Sequence, residues 1–447
     1  MKFSNKIIFF LFLALVERIT GAMPLKATGG HKKLNKRAAV GGPVTVNMSV
    51  NTTSTIKNTL PSSSNTTTTE LQVKGVSKAI AGINGTTVSK DNLNLDVQLV
   101  IENDYSLYSA EFCFGTPCQK VSLQIDTGSS DLWIPATGSA TGGTTNSAIQ
   151  EHGTYSVNGS STAIEFQDDT FSITYGDSSG ANGYLVVDAL QISDDITIDL
   201  ATFEVATSNS AGQGVCGMGY LSEEVTSKEY LNLPALLKKN NITSSNSYSL
   251  YLNSEDATSG QIIFGAYDEA KYEGDLQKLP ILKKNSDGSE SSTYKALFVK
   301  LDGIMAENTE LTTKSYDALI DTGTTLVYAP SDLYSNYTEK YGTYDSNAGS
   351  YTAPCDTVGT PLSFQFADTT IKVPFSDMLY NISLTNGSYY MKNGVQQCSI
   401  GMVESSGDYV ILGDVFLRSA YTFINLDDNT ISLGQVKYTS ESSVVLV

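Results

Sequence analysis

One stretch of sequence occurs twice in this chain. The first copy is Val121–Trp133, VSLQIDTGSSDLW, and the second is Ala318–Tyr328, ALIDTGTTLVY. Each copy is an apolar run that ends in Asp-Thr-Gly followed by two small hydroxyl residues. The two aspartates, Asp126 and Asp321, lie 195 residues apart in the 447-residue chain. Each copy predicts a β-strand that turns sharply at glycine and presents a carboxylate at the turn.

A second motif repeats in the same register. Gly217, in Val-Cys-Gly, follows Asp126 by 91 residues, and Gly413, in Ile-Leu-Gly, follows Asp321 by 92 residues. Two motifs repeated at one spacing indicate an internal duplication, and such repeats are the first feature to seek in a sequence. The chain therefore predicts two similar lobes, each of which gives one aspartate to a shared centre.

The residues around the aspartates suit a crowded pair of carboxyl groups. Gly128 and Gly323 permit close approach of another backbone. Four hydroxyl residues also flank the pair, two able to bond across the centre and two within reach of their own carboxylate: Thr127, Thr322, Ser129 and Thr324. Two carboxyls held this close cannot both ionise readily, so they would share a proton. One would then act as a base on water and the other as an acid on a carbonyl oxygen.

The alternative is that each Asp-Thr-Gly is an ordinary turn, since three residues are a weak match. Two copies, each with its glycine partner in register, favour the catalytic interpretation.

The chain resembles the pepsin-like aspartic proteases and is most similar to the candidapepsins, the secreted aspartic proteases of yeasts. The resemblance runs from about Val97 to the C-terminus and is carried by four stretches: IDTGSSDLW (125–133), ITYGD (173–177), LIDTGTT (319–325) and ILGDVFLR (411–418). It implies an all-β, bilobal pepsin-like fold with pseudo-twofold symmetry, a few short helices and a cleft between the lobes. It also implies that Asp126 and Asp321 are the catalytic pair.

A hairpin is predicted at Asp169–Asp188, where TFSITYG and YLVVD are typical of strands and DSSGANG of a turn. The resemblance implies that this hairpin is a mobile flap over the cleft, with Tyr175 bonded to Trp133. Tyr328 stands in the second copy where Trp133 stands in the first, and it would either line the cleft or pack in the core. The other residues expected next to substrate are Gly176, Asp177, Gly128, Gly323 and Thr324.

Charge is distributed unevenly along the chain. Residues 1–97 carry a net charge of +8 and the remainder −27, with Arg418 as the single arginine of that remainder. Nucleic acid is therefore an improbable partner. The acidity fits either a soluble, self-repelling surface or a protein that works in acid. The two histidines, His31 and His152, cannot assemble a Ser-His-Asp or multi-histidine metal site, and the predicted chemistry needs no metal or cofactor.

The first 96 residues are predicted to be a leader. Residues 1–22 have the basic start, apolar run and small-residue end of a secretory signal, and the run is too short to span a membrane. Residues 23–96 predict a propeptide, basic at first and then rich in Ser, Thr and Asn, with a dibasic Lys36-Arg37. Candidapepsins usually carry such a pair just before the body, so a second cut is expected here. Lobes at 97–290 and 291–447 are predicted to follow.

Three local features complete the predicted body. Short helices are expected at Glu229–Lys239 and at Ser331–Tyr341, with Ser331 as an N-cap. The loop 135–153 contains no cysteine, whereas candidapepsins usually carry a disulfide-closed loop there. Five N-glycosylation sequons occur in the body, at Asn158, Asn241, Asn336, Asn381 and Asn386.

All five cysteines lie in the body, and a secreted chain should pair most of them. By the repeat, Cys216 occupies the position of Leu412 and is predicted to be the buried free thiol. The resemblance implies a Cys355–Cys398 disulfide. Cys113 and Cys118 would staple the first hairpin across its turn, or else remain two buried thiols.

The predicted function is a secreted, monomeric aspartic endopeptidase that hydrolyses proteins and peptides at acidic pH. One other possibility is a binding or adhesion glycoprotein that kept the fold without the chemistry, against which both Asp-Thr-Gly copies are intact. The other is a wall-associated protease that processes proteins at basic residues. The closing SVVLV is shorter than a lipid-anchor signal, which argues against that possibility.

Overall fold

The structure is a computed structural model that describes residues 95–102, 107–141 and 151–447, apart from 227, 255–256, 258, 308, 313 and 385–387. Four two-residue strands before this body are also described, β1–β4: Lys26–Ala27, Thr69–Glu70, Ala79–Ile80 and Thr87–Val88. The predicted signal peptide and the dibasic pair lie outside the described residues. No helix in the described part is long and apolar enough to cross a membrane.

The first half of the body consists mainly of strands, β5–β16: Leu95–Glu102, Leu107–Phe114, Gln119–Asp126, Leu132–Thr141, Ile164–Thr174, Gly180–Ser193, Ile196–Asn209, Gly214–Gly217, Ser247–Tyr251, Ser259–Phe264, Ala266–Asp268 and Tyr272–Pro280. An α-helix, α1, spans Leu233–Lys239. Three single 3₁₀ turns join the strands at Val157–Gly159, Leu221–Glu223 and Glu269–Lys271.

The second half continues with β17–β33: Phe298–Leu301, Gly303–Ala306, Thr309–Glu310, Tyr316–Ile320, Val327–Ala329, Thr343–Asp345, Ser350–Pro354, Leu362–Phe366, Thr369–Val373, Leu379–Ser383, Met391–Lys392, Val395–Ile400, Met402–Glu404, Tyr409–Leu412, Ala420–Asn425, Thr430–Val436 and Val444–Leu446. It holds two helices, α2 at Ser331–Tyr341 and α3 at Asp414–Leu417, and a 3₁₀ turn at Phe375–Met378. The all-β expectation is confirmed.

The same strand pairing occurs in both halves. In the first, β12 runs parallel to β7 and antiparallel to β8, which places Val215 opposite Trp133. In the second, β30 runs parallel to β20 and antiparallel to β21, which places Ile411 opposite Tyr328. The repeated motifs therefore form equivalent strands, and the duplication read from the sequence is a duplication of topology.

The two halves are joined through one large sheet. Its strand order begins β16-β32-β31-β13-β14-β5-β6-β7, so that β31 and β32 from the end of the chain lie beside strands of the first half. Apolar and polar residues alternate along these strands because one face of each strand packs in the core. In β7, for example, Val121, Leu123 and Ile125 are all buried in a single core that runs through both halves. Strand β20 lies in a separate five-stranded sheet, β17-β20-β30-β21-β29, so the ends of β7 and β20 are related through the shared core and through the contacts between their loops.

The helix predictions are right in place but wrong in detail. The first helix begins at Leu233 rather than Glu229, with Pro234 in its opening turn. Ser331 is not the N-cap, because the carbonyl of Pro330 accepts the hydrogen bond from the Tyr334 amide at 2.9 Å and Pro330 therefore holds that position. The short helix α3 was not expected.

Two disulfides lie in the described body. Cys113 and Cys118 are bonded across the turn between β6 and β7, with Cα atoms 5.3 Å apart. Cys355 and Cys398 are bonded between the end of β23 and β28, with Cα atoms 4.9 Å apart. Cys216 is a free thiol buried in β12, and burial raises its pKa well above the usual value. Residues 142–150, within the loop that lacks cysteines, are outside the described part.

Candidate active site

The two aspartates lie at equivalent strand ends. Asp126 closes β7 and Asp321 follows β20, and each is 1% exposed. Asp126 accepts hydrogen bonds from the Gly128 amide, at 2.8 Å, and from the Ser129 hydroxyl. Asp321 accepts the matching pair, from the Gly323 amide at 2.8 Å and from the hydroxyl of Thr324 at 2.6 Å. Each carboxylate is thus oriented by its own loop.

The threonines of the two motifs lock the loops together. The Thr127 hydroxyl donates to the Ile320 carbonyl at 2.8 Å and accepts from the Thr322 amide at 3.0 Å. The Thr322 hydroxyl donates to the Ile125 carbonyl at 2.8 Å and accepts from the Thr127 amide at 3.1 Å. These four bonds are buried and symmetric, so the position of one aspartate fixes the position of the other.

The glycines of the two motifs are required by the close approach of the carboxyls. A β-carbon built on Gly128 would overlap the carboxyl oxygen Oδ1 of Asp321, and one on Gly323 would overlap Oδ1 of Asp126. Each glycine therefore borders the opposite aspartate.

Electrostatics favours a shared proton in this pair. Burial raises the pKa of Asp126 well above its usual value, and the charge of Asp321 raises it further. Burial also raises the pKa of Asp321, against the lowering effect of the hydrogen bonds from Thr324 and Gly323. Two buried carboxyls in contact hold one proton between them in acid, which provides a base and an acid at one place.

The predicted hairpin is present and longer than expected. Strands β9 and β10 form it, and the turn between them contains Tyr175, Gly176 and Asp177. The Asp177 carboxylate accepts a hydrogen bond from the Ser179 amide at 2.8 Å, which stabilises the tip. The indole Nε1 of Trp133 donates to the Tyr175 hydroxyl at 2.5 Å, as the resemblance implied.

Tyr175 and Trp133 belong to a small apolar cluster of their own. Both are buried, together with Phe171 and Ile173 of β9 and with Val215 of β12. Tyr175 is therefore held against the strands of the first half by packing as well as by one hydrogen bond.

Tyr328 packs in the core, which is one of the two roles expected of it, and its place beside substrate stays a prediction. It is buried in β21 as part of the main core. Burial raises the pKa of its hydroxyl, and the charges of Asp177 and Asp321 raise it further, so the hydroxyl lies within electrostatic range of the hairpin turn and of Asp321.

Several buried charged residues near the centre were not predicted. Arg418, noted in the sequence only as a lone arginine, is 1% exposed, and its Nη2 donates to the Tyr380 hydroxyl at 3.3 Å. A buried cluster of three carboxyls, Asp131, Glu204 and Glu224, lies in the first half. Asp131 stands inside the SSDLW motif and could have been noticed there, whereas nothing near Glu204 or Glu224 in the sequence marks them. Within the described residues no group of His, Cys, Asp or Glu is arranged to hold a metal ion.

A duplicated all-β fold with two buried, symmetry-related aspartates at its centre defines the class of bilobal aspartic proteases. A family model described as eukaryotic aspartyl protease matches residues 107–436. An acid protease of Saccharomycopsis fibuligera is 39% identical over 347 residues, covering 76% of this chain and 84% of that protein. Candidapepsin-4 of Candida albicans is 39% identical over 358 residues, covering 78% of this chain and 81% of that protein.

Secreted aspartic protease 3 of Candida albicans is 36% identical over 364 residues, covering 79% of this chain and 86% of that protein. The chain belongs to the eukaryotic aspartyl protease family. It is a secreted aspartic endopeptidase, and the resemblance seen in the sequence is confirmed.

Proposed function

We propose that Asp126 and Asp321 are the catalytic pair of this endopeptidase. The observation that carries the proposal is the reciprocal arrangement of the two loops, in which each carboxylate has matching hydrogen bonds and each glycine borders the opposite aspartate. A water between the carboxyls would lose a proton to the ionised carboxylate as its oxygen bonds to the peptide carbonyl carbon. The protonated carboxyl would give its proton to the carbonyl oxygen. Protonation of the nitrogen and cleavage of the C–N bond would then complete hydrolysis, without a metal or organic cofactor.

The flap would cover an extended substrate. Tyr175, Gly176 and Asp177 would lie above the peptide, with Tyr328 and the motif residues Gly128, Gly323 and Thr324 below it. Main-chain bonding of an extended peptide gives affinity and side-chain pockets give selectivity. Closure of the hairpin would exclude water from the developing tetrahedral centre.

We also propose that the protein is made as a monomeric zymogen in which residues 1–22 are removed as a signal and the segment from residue 23 up to β5 forms a propeptide, which ends slightly before the boundary at 96 expected from the sequence. The basic leader complements the acidic body in charge. Strand β5 begins at Leu95, which pairs with Phe264 in the large sheet, so the final cut should fall before Leu95. The lobes would meet near residue 290.

The sequons differ in access. Asn158 and Asn241 are exposed and can carry glycans. Asn381 is buried, and its side-chain oxygen accepts a hydrogen bond from the Gln396 amide at 2.5 Å, so it should remain unmodified. Asn336 is exposed, and its side-chain amide donates to the Leu311 carbonyl at 2.9 Å.

The test uses purified mature protein with a denatured protein substrate in acid. Asp126→Asn and Asp321→Asn should each lose at least about a hundredfold in rate, because neither carboxyl alone supplies both acid and base. Asp195→Asn, an exposed aspartate in the turn after β10, is the matched control. Pepstatin should stop cleavage by the wild type.

If either variant keeps more than about a tenth of the wild-type rate, the aspartate replaced in it is not catalytic. A wild-type protein that cleaves nothing would favour the binding or adhesion glycoprotein. Cleavage of a peptide library only after basic residues would favour the processing protease.

A further inference from the structure

Three carboxyl groups outside the catalytic pair are buried together near Trp133. We call Trp133 the flap anchor, because it binds the Tyr175 hydroxyl. Glu204 lies in β11, Asp131 lies just before β8, and Glu224 follows the 3₁₀ turn Leu221–Glu223. Asp131 and Glu204 are completely buried, and Glu224 is 4% exposed. Three carboxylates cannot be buried side by side in ionised form without a large desolvation cost.

Backbone hydrogen bonds hold the cluster closed. The Asp131 carboxylate accepts from the Val225 amide at 2.9 Å, and the Glu224 carboxylate accepts from the Tyr230 amide at 2.8 Å. The Tyr230 hydroxyl in turn accepts from the Leu132 amide at 2.6 Å. The loop from Glu224 to Tyr230 is therefore tied to the segment that runs from the catalytic aspartate to Trp133.

The cluster adjoins the residues that hold the flap. Strands β8 and β11 run parallel with Glu204 opposite Trp133, so both side chains leave the same face of the sheet. Val225, whose amide binds Asp131, packs against the apolar cluster that contains Trp133 and Tyr175. Trp133 holds the Tyr175 hydroxyl at 2.5 Å.

The groups that act on Glu204 are acidic or phenolic. They are the carboxyls of Asp131 and Glu224, with the hydroxyls of Tyr230 and of Tyr175 on the flap. Burial raises the pKa of Glu204 well above its usual value, and the charge of Asp131 adds to this. Both carboxyl oxygens of Glu204 are buried and accept no hydrogen bond from a donor among the described residues. A hydrogen bond from Glu204 to another carboxyl, such as that of Asp131, requires a proton on one of the two.

The pKa of Glu224 is raised as well. Burial raises its pKa to about 10, and the charges of Asp131 and Glu229 contribute.

We propose that Glu204 is a positioning residue for the reaction: the proton it shares with Asp131 holds Trp133, and through it the flap tyrosine Tyr175, in place. Loss of that proton as the pH rises releases the flap anchor and ends activity. The inference rests on the proposed function, since it takes Tyr175 to act on substrate.

The direction follows from proton linkage. A glutamate in the unfolded chain ionises near pH 4.3, at about its reference pKa, whereas Glu204 keeps its proton in the folded protein. The stability that this proton confers is complete below about pH 4 and is lost as the pH rises towards the folded-state pKa. Between the unfolded-state and folded-state pKa values, each proton retained in this way raises the equilibrium constant for unfolding about tenfold for every unit by which the pH rises.

The chain contains its own reporter, because Trp133 is its single tryptophan. Tryptophan fluorescence and kcat/KM are followed from acidic to neutral pH in the mature wild type, in Glu204→Gln and in Glu273→Gln. Glutamine keeps the shape of a protonated glutamate and cannot ionise. Glu273 is exposed in β16, so its replacement removes the same charge from the surface and controls for general charge repulsion.

Glu204→Gln should move both the fluorescence transition and the alkaline limb of the pH–rate profile to higher pH. Its unfolding constant at neutral pH should fall about tenfold or more, while Glu273→Gln follows the wild type. Agreement of Glu204→Gln with the wild type in both measurements overturns the proposal. Should Glu204→Gln not accumulate as folded protein, Glu224→Gln takes its place with the same expected shift and the same overturning result.

The fluorescence measurement needs no catalysis. If the wild type cleaves nothing but Glu204→Gln still shifts the fluorescence transition, the proposed function is refuted. The fluorescence transition would then remain assigned to the Glu204 cluster. Cleavage by the wild type with no shift in either glutamine variant would refute the role of the cluster and leave the catalytic pair standing.

Discussion

The hydroxyls of Thr127 and Thr322 accept hydrogen bonds from each other's backbone amides, at 3.0 and 3.1 Å. Each also donates to the carbonyl of the residue before the opposite aspartate, at 2.8 Å. All of these groups are buried, so neither loop can shift without leaving polar groups unpaired. The relation of the two aspartates is therefore set by side chains that take no part in the chemistry.

We predict that Thr127→Val lowers both stability and activity. Valine has nearly the same shape but leaves the Ile320 carbonyl and the Thr322 amide without partners, at about 1–3 kcal/mol each. Denaturant unfolding in acid should show a loss of about 2–6 kcal/mol in the free energy of unfolding, with a parallel fall in kcat/KM. Thr127→Ser keeps the hydroxyl and is the control. Equal stability of the serine and valine variants would show that the bonds contribute nothing.

We predict that Gly128→Ala leaves a folded protein with little activity. The new methyl group would overlap the carboxyl of Asp321, which must then move away from Asp126. A displacement of about 1 Å at a reacting group costs on the order of a hundredfold in rate. Gly303→Ala is the control, because its β-carbon would meet only the end of the Gln365 side chain, at 3.1 Å. Wild-type kcat in Gly128→Ala would mean that the carboxyls tolerate a wider separation.

Most of the fold and the pairing of Asp126 with Asp321 could be predicted because their signals are local. An apolar run ending at Asp-Thr-Gly needs only neighbours in sequence to be recognised, and its repetition gives the topology. The Glu204 cluster could not be predicted in this way. Glu204 stands in a run, TFEVAT, that is typical of a half-buried strand, and the carboxyls that act on it, Asp131 and Glu224, are distant from it in sequence. Likewise Ser331 precedes a helix as a cap would, but the strand before it brings Pro330 to the capping position.

A pH-dependent contribution to stability is predicted for Asp96 in β5. Burial raises the pKa of its carboxyl to about 6, although the Gln261 amide, at 2.7 Å, favours the ionised form. Because the folded-state pKa lies above the value near 3.9 of an unfolded chain, the stability due to this proton is complete below about pH 4 and is lost as the pH rises through about 6.

Asp96→Asn should therefore match the wild type in acid and be more stable near neutrality, by up to about 3 kcal/mol. The measurement is the free energy of unfolding against pH, with Asp195→Asn as an exposed control. A loss of stability at every pH would mean that the hydrogen bond to Gln261 outweighs the cost of ionisation.

The last prediction concerns the cysteines. Non-reducing peptide mapping should recover Cys113 linked to Cys118 and Cys355 linked to Cys398, with Cys216 unlinked. Cys216 is buried and its raised pKa keeps it as an unreactive thiol, so thiol titration should find no reactive group in native protein and one in denaturant.

The Cys355–Cys398 bond spans a separation of 43 residues, and replacing both cysteines by alanine should lower stability by about 3–4 kcal/mol through chain entropy. Cys216→Ala is the matched control, since it removes a thiol but no bond. It should abolish the thiol found in denaturant and cost only the small loss of packing expected for a buried sulfur. A peptide that links Cys216 to Cys113 or Cys118 would contradict the whole scheme, because it would require β12 to lie outside the paired position between β7 and β8.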